Sequence, residues 1–422
     1  MTPEQTFEQL LGLGEEWRVI NTHYEAEKNT FVIAVEETPK LWESESRRNR
    51  FKTTCYDHVE PMMWRHLNVF NKECVIVCAL PRGRYVDDEQ SKYPPQKIYR
   101  VQPPWEGLSK HFSREFEAFA LMLMKEMPVK KAGEILGETD QRLWRMLTAH
   151  VDRAYKRSEM DDVTWVGADE MNRRKGHNYL TVFADLRNRR VVFATEGKGA
   201  DTWQAFADEL LKHNGHPKAV TQAAIDMSAA YIKGVENNLG NAEIVFDKFH
   251  VVAQVNDAVE KVRREEARSS AMKAAVLKKT QWIWRKNPEN WTDGQALRMD
   301  DLEREHLLTA KAYQMRLVMQ GVYECQTSAE AKGKFEKWCG WVRKECEQEG
   351  NELLQPMLKA AEMIGSHLQG ILGHWKKGLT TAFLEGLNSL FSATKRKARG
   401  YRTTTNMITM LYFVAGKLKI PA

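Results

Sequence analysis

VGADEMNRRKGHNYLTVFADLRNRR, Val166 to Arg190, is the segment from which the rest of the chain can be ordered. An apolar run stops at Asp169 and Glu170, passes through the polar NRRKGHN, and resumes as YLTVFADL. Two apolar runs around a turn containing Gly and Asn read as paired strands. Carboxylates at a strand end repel each other unless something cationic joins them. Divalent cations suit the position, because hard carboxylate oxygens favour Mg²⁺ or Mn²⁺. Successive side chains of a strand point to opposite faces. If Asp169 faces a site, Glu170 therefore faces solvent or pairs with the basic loop.

Around this segment, VTWVGAD, NYLTVFADL and RVVFAT form three strands joined by short polar turns. DTWQAFADELLKH follows as an amphipathic helix, KAVTQAAID as a strand, MSAAYIKGVENNL as a helix and AEIVFD as a strand. A meander followed by alternating helix and strand predicts an α/β mixed sheet with covered faces. Asp169 ends the first strand and Asp226 the fourth, and neighbouring strands set their ends side by side. Glu385, in AFLEGLNSLF, interrupts an apolar helix face and is the candidate third carboxylate. Two metals held ~3.5–4 Å apart by such a set activate a water or hydroxyl and stabilise the leaving oxygen of a phosphodiester. Arg173, Arg174 and Lys175 beside it would hold a phosphate backbone. The competing readings are local: Asp226 as the cap of a helix starting at Met227, and Glu385 as an ion-pair partner.

The flanks are of other kinds. Residues 1–100 are strand-rich, with period-two alternation in NTFVIAVEE and KECVIVCAL, and PPQK and PPWEG read as a linker. SREFEAFALMLMKEM is a helix capped by Ser113. After Pro128 the pattern gives a short helix over 129–136, a turn at Gly137-Glu138, and a second helix from Thr139 or Asp140. That is a helix-turn-helix layout, with Gln141, Arg142 and Arg145 on the exposed face of the second helix to contact DNA. An ordinary helical hairpin is the alternative. Residues 252–375 are helical in pattern, and their tryptophans read as core. The last helices carry Lys395, Arg396, Lys397 and Arg399, then Gly400 as a C-cap. Asn388 is one turn from Glu385 on the same face.

The 422 residues exceed one simple core and suggest roughly two to four domains. Charged residues make up 28% and the mean hydropathy is −0.56. No apolar run approaches the ~20 residues that span a bilayer, and the start MTPEQTFEQLLGLG has no secretory pattern. Six cysteines show no disulfide framework and read as reduced cytosolic thiols. The net charge of +6 is modest, but KRKARGYR and RNRR (187–190) concentrate it. A polyanion partner fits, as does a solvated face.

The wording of three motifs is more specific. VGADEMNRRKGHNYLTVFADLRNRRVVFATEGKGADTW, AAIDMSAAYIKGVENNLGNAEIVFDKFHVVAQVNDAVEKVRREE and TTAFLEGLNSLFSATKRKARGYRTTTNMITMLYFV occur in this order. Together they resemble the bacterial insertion-sequence DDE transposases of the ISL-three family, over the middle and C-terminal parts and more loosely over the N-terminal third. The resemblance implies an RNase H-like catalytic domain with Asp169, Asp226 and Glu385 as catalytic and metal-binding residues. It implies that the helical stretch 252–375 is an insertion in that fold. Asp247 and His250, in FDKFHVV, match a signature that places them near the active site; a strand-end Asp and a core His are the equal alternative. Many family members carry N-terminal Cys-x-x-Cys zinc pairs. Here the corresponding stretches lack them, and Cys74 and Cys78 read as buried thiols. Cys55-x-x-His58 with Cys74 and Cys78 could form a replacement, but zinc is not expected.

The expected organisation is a β-rich DNA-end-binding domain (1–100), a helix-turn-helix (108–157), a catalytic core (163–251), an all-helical insertion (252–375) and the C-terminal core helices (376–422). The expected activity is DNA transposition: binding of terminal inverted repeats, then cleavage and strand transfer into target DNA with two Mg²⁺ or Mn²⁺ per site. Pairing two ends needs at least a homodimer on DNA. The expected location is the bacterial cytoplasm, at the nucleoid, with no membrane association. The rival readings are a catalytically silent transposase-derived regulator and a structure-specific RNase H-like nuclease.

Overall fold

A computed structural model describes residues 2–86, 98–174, 178–303, 305–375 and 382–421, without the side chains of 173, 174, 178, 303 and 382–385. The chain divides into two compact units, Met1–Arg157 with Ala393–Ala422, and Ser158–Ser392.

The first unit opens with α1 (Pro3–Leu10), β1 (Trp17–Glu25), β2 (Thr30–Glu37), α2 (Pro39–Asn49), β3 (Thr53–His58), β4 (Met62–Val69), β5 (Lys72–Cys78), β6 (Pro81–Tyr85) and β7 (Tyr99–Arg100). Among the described residues these strands form a four-stranded sheet, ordered β1-β2-β5-β4, and a three-stranded sheet, ordered β3-β6-β7. Trp17, Ile33, Trp64 and Ile76 fill the core of this region. Trp105 joins them, edge-on to Trp17 at 5.1 Å and to Trp64 at 5.8 Å. The PPWEG stretch, expected as a linker, is therefore part of the core: its indole is 1% exposed. Burying a ring of that size outweighs the turn tendency of the flanking prolines.

Three helices follow, α3 (Arg114–Glu126), α4 (Val129–Leu136) and α5 (Asp140–Tyr155). Gly137, at φ +72°, ends α4 in the left-handed region that glycine enters freely. The Thr139 hydroxyl accepts from the Arg142 amide and caps α5. The buried Glu117 of α3 accepts from the amides of Leu108 (2.8 Å) and Ser109 (2.7 Å) and pairs with His150 of α5 (2.9 Å). Arg65 of β4 is buried and donates to the carbonyls of Cys74 (3.3 Å) and Leu136 (3.1 Å). It thereby caps the C-terminus of α4. Through such contacts the expected domains 1–100 and 108–157 form one unit rather than two.

The second unit contains β8 (Trp165–Arg174), β9 (Asn178–Asp185), β10 (Arg190–Glu196), α6 (Asp201–Lys212), β11 (Gln222–Ile225), α7 (Ala229–Asn238) and β12 (Glu243–Phe246). The strands form a mixed sheet ordered β10-β9-β8-β11-β12. β8, β9 and β10 are antiparallel neighbours, and β11 runs parallel to both β8 and β12. α6 covers one face, where Phe206 stacks on Phe183 at 4.5 Å. α7 approaches closely because Gly234 has no side chain: a Cβ there would lie 2.4 Å from the Trp203 ring.

Helices then dominate: α8 (Lys248–Ser269), α9 (Ala271–Val276), α10 (Gln281–Arg285), α11 (Asp293–Glu303), α12 (Leu308–Gly321), α13 (Ser328–Cys346), α14 (Gln355–Ser366) and α15 (Leu368–Leu372). α12 and α14 pack on the long α8. The segment returns to the sheet at β12, where His367 meets Phe246 at 5.2 Å. α16 (Ala382–Lys397) runs across the division of the chain, and α17 (Thr404–Ala415) packs on α5 with Tyr412 against Tyr155 at 4.4 Å. The expected C-terminal segment 376–422 is thus not all core: Ala393–Ala422 belongs to the first unit, because the apolar face of α17 is buried there. No helix among the described residues is long and apolar enough to cross a membrane.

Candidate active site

The site is built on the register of three parallel strands. β11 pairs with β8 through Gln222–Trp165, Ala223–Val166 and Ala224–Gly167. Two residues further on, the same register sets Asp226 beside Asp169. β12 pairs with β11 up to Phe246–Ile225, and one more step sets Asp247 beside Asp226. Asp226 and Asp247 thus each follow the last residue of their strand, on the side of the sheet edge where β8 carries Asp169. β8 does not end at Asp169, as the break in the apolar run suggested. It continues to Arg174 against β9, while its pairing with β11 stops at Gly167. Asp169 therefore stands where β11 ends and leaves space.

Asp169 and Asp226 are half-buried. One oxygen of Asp169 accepts from the Glu170 amide at 2.7 Å, and the other accepts from the Asn388 side-chain amide of α16. Asp226 accepts from the Ser228 amide at 3.0 Å. The cap of α7 is Ser228, whose hydroxyl accepts from Tyr231, and not Asp226. Asp247 is buried and caps α8 by accepting from the Phe249 amide at 2.8 Å. Glu385 lies on α16 three residues before Asn388, and its side chain lies outside the described residues.

Glu170 departs from its expected place. It is half-buried, and burial raises its carboxyl above the ordinary range; Lys198 opposes the rise, Asp226 and Asp169 add to it, and His250 opposes it. The reason is the cover on its face of the sheet. Opposite Glu170 stands Thr181, whose hydroxyl meets the buried Tyr231 hydroxyl at 2.9 Å and donates to the Gly197 carbonyl. The Tyr231 phenol is likewise pushed up, by burial first and then by Glu170, Asp226 and Asp169. Asp169, Glu170 and Asp226 thus form one acidic locus, with Lys198 as its cationic neighbour and the His250 ring nearby. Lys198, which sequence reasoning did not single out, stands 4.3 Å over the Tyr179 ring. A lone Lys between two glycines gave no signal.

The basic candidates separate. Arg173 and Arg174 lie at the end of β8 with their side chains outside the described residues, as is all of Lys175. In the RNRR turn, Arg190 is held by Asp162 and by the fully buried Asp185. Gln141 and Arg145 are exposed on α5 as expected. Arg142 is not: it pairs with Glu138 at 2.6 Å and lies 4.6 Å from the Phe112 ring centre. Lys395 is half-buried, while Arg396, Lys397 and Arg399 are exposed. The three described metal-type side chains close enough to share one ion lie elsewhere, at Glu37, Cys55 and His58, where His58 pairs with Glu37 at 2.7 Å. Cys74 and Cys78 are buried in the sheet, and burial pushes both thiols up to about 12.

Known families match both regions. A DDE transposase family model of the ISL3 group, described as "Transposase", matches residues 166–411, more than half of the chain. The chain belongs to the ISL3 transposase family. Residues 103–151 match the helix-turn-helix domain of transposase family ISL3. The transposase for insertion sequence element IS1001 of Bordetella parapertussis is 30% identical over 60% of this chain and 62% of its own length. The transposase for insertion sequence element IS1557 of Mycobacterium tuberculosis is 24% identical over 63% of this chain and 64% of its own length. The matches thus span less than two thirds of these relatives' own length.

Proposed function

We propose that the chain is a DNA transposase: it binds the terminal inverted repeats of its insertion sequence, cleaves there, and joins the freed 3′ end to target DNA. The observation that carries this is the pair Asp169, on β8, and Asp226, directly after the parallel neighbour β11, with Asn388 of α16 bonded to Asp169. A mixed sheet with carboxylates along its centre strands supports the RNase H-like reading of the second unit, with 252–375 as its helical insertion.

Mg²⁺ or Mn²⁺ fits these residues. Burial first, and then the Asp226 and Asp169 carboxylates, hold the Glu170 carboxyl up, and a divalent cation would offset the carboxylate part. Asp169, Asp226 and Glu385 would hold two ions. When bound, such ions activate a water or 3′-hydroxyl and stabilise the leaving oxygen of an in-line phosphoryl transfer. Asn388 keeps Asp169 oriented, which fixes the direction of its free lone pairs. Lys198 places positive charge near the carboxylates, where a phosphate would enter, and His250 lies close enough to offer a ring N–H there. Arg173 and Arg174, which end β8, and Lys175 after them would meet the backbone. Gln141 and Arg145 would read base edges from α5, and Lys395, Arg396, Lys397 and Arg399 would contact phosphates. Two ends must be held together, so the active form on DNA is at least a dimer, working in the cytoplasm without zinc or membrane.

The test supplies the chain in trans to a plasmid carrying a marker between the element's repeats. Wild type is expected to give new marker–target junctions, and Asp169→Asn none. Repeat binding without junctions from wild type would count against catalysis and favour a regulator. Cutting that ignores the repeats would favour a structure-specific nuclease.

A further inference from the structure

α5 begins at an open cleft within the first unit. Lys130 of α4 and Gln141 and Arg145 of α5 line one side, and all three are exposed. The other side is the C-terminal segment, with the exposed Arg402 and the start of α17. Between them lie the half-buried Trp144 and Tyr401, edge-on with centroids 6.2 Å apart. Asp140 is the acidic residue of this lining and lies 3.9 Å from Arg402, so three cations face one carboxylate.

The C-terminal wall is fixed rather than a loose tail. Gly400, at φ +93°, lets the chain turn back, and its amide donates to the Lys395 carbonyl at 2.9 Å. The Lys397 ammonium donates to the Glu126 carbonyl at 3.4 Å. Tyr401 rests on Trp144, and Thr403 caps α17 by accepting from the Asn406 amide at 3.1 Å. Arg402 is thereby presented from a braced segment about 260 residues away from Arg145 in sequence, on the opposite wall of one cleft.

We infer that this cleft seats the sugar–phosphate backbone of the same duplex whose bases Gln141 and Arg145 read, with Lys130 and Arg402 gripping it from the two walls. The inference rests on the DNA-binding reading of α4 and α5. The sign of the charge selects a polyanion, and a helix reading base edges needs backbone contacts beside it to fix its register. The C-terminal basic segment then serves end recognition, not only the catalytic locus.

The experiment is fluorescence anisotropy with a duplex carrying the element's repeat and with a scrambled duplex, over a salt series. The proteins are full-length wild type, Arg402→Ala, Arg402→Lys and Gln141→Ala. Arg402 has 79% of its side chain exposed, so its replacement leaves the fold intact. Arg402→Ala is expected to weaken both duplexes alike and to lower the salt slope by about one, the signature of one lost phosphate contact. Arg402→Lys should restore the slope, and Gln141→Ala should reduce only the preference for the repeat. Wild-type affinity and slope in Arg402→Ala, with Gln141→Ala still impaired, would overturn the cleft and spare the DNA-binding reading. If wild type binds neither duplex, that reading itself fails, and the cleft with it.

Discussion

Asn388 links α16 to the sheet through one side-chain amide on Asp169. Groups that orient a metal-binding carboxylate typically contribute about 10–100-fold to affinity or activity. Asn388→Ala is therefore expected to slow single-turnover cleavage by about that factor with repeat binding unchanged; an unaltered rate would remove Asn388 from the site. Asp169 and Asp226 were legible in the sequence because each follows an apolar run that ends abruptly. The surroundings of Glu170 were not. Strand alternation says which face a side chain takes, but not that Tyr231 and the segment around Lys198 cover that face. The partners of Arg142 were hidden for a related reason. Helical spacing put it on the outside, and neither Glu138 nor Phe112 could be known to wait there.

At the scale of elements, Glu266 of α8 shows how the helical segment is held. Its carboxylate is fully buried and accepts from the amides of Leu308 (3.0 Å) and Thr309 (2.8 Å), the Thr309 hydroxyl (2.7 Å) and the Lys273 ammonium (3.0 Å). It caps α12 from another helix. Removing one partner of such a buried set costs about 3–5 kcal/mol, so Glu266→Ala should lower the thermal midpoint of the second unit, read by calorimetry. Burial opposes ionisation of Glu266, but the bonds from Thr309, Lys273 and Leu308 outweigh it and hold its carboxyl below the ordinary range. A depressed carboxyl stabilises the fold above its unfolded value of about 4.3 and loses that contribution as pH falls through the folded value. Wild type should therefore lose stability on acidification below about 4.3, and Glu266→Ala should lose less. The helix-turn-helix was readable in the sequence to within a residue, since Pro128, Gly137 and Thr139 are local signals. The cap from Glu266 was not, as the residues involved are more than forty positions apart.

For the whole molecule, the division into units departs most from the sequence. Composition shifts suggested separate N-terminal domains and a C-terminal piece belonging wholly with the catalytic core. Trp105, Arg65 and Glu117 instead join the first two into one body, and α17 completes it. Contacts of this range leave no periodic trace. If Trp105 is core and not linker, Trp105→Ala should cost about 3–5 kcal/mol. It should expose the first unit to proteolysis and abolish repeat binding, while the second unit keeps its protease resistance. A variant that binds repeats normally would return the PPWEG stretch (103–107) to the role of a linker. The chain passes from Asp169 and Asp226 in one unit, along α16, into the unit that contains Gln141 and Arg145. In the proposed reaction, end recognition and phosphoryl transfer are thus carried by different units of one polypeptide.

In the proposed reaction Asp169, Asp226 and Glu385 hold metal for phosphoryl transfer on a recognised DNA end. The most direct measurement is single-turnover nicking and joining of a repeat-end duplex by wild type and Asp226→Asn, with Mg²⁺, Mn²⁺ or EDTA, alongside binding of the same duplex. The expected result is metal-dependent nicking at the repeat boundary and joining to target by wild type, with Asp226→Asn binding equally and doing neither. Tight binding of the repeat by wild type without cleavage in either metal, or cleavage by Asp226→Asn at the wild-type rate, would contradict it.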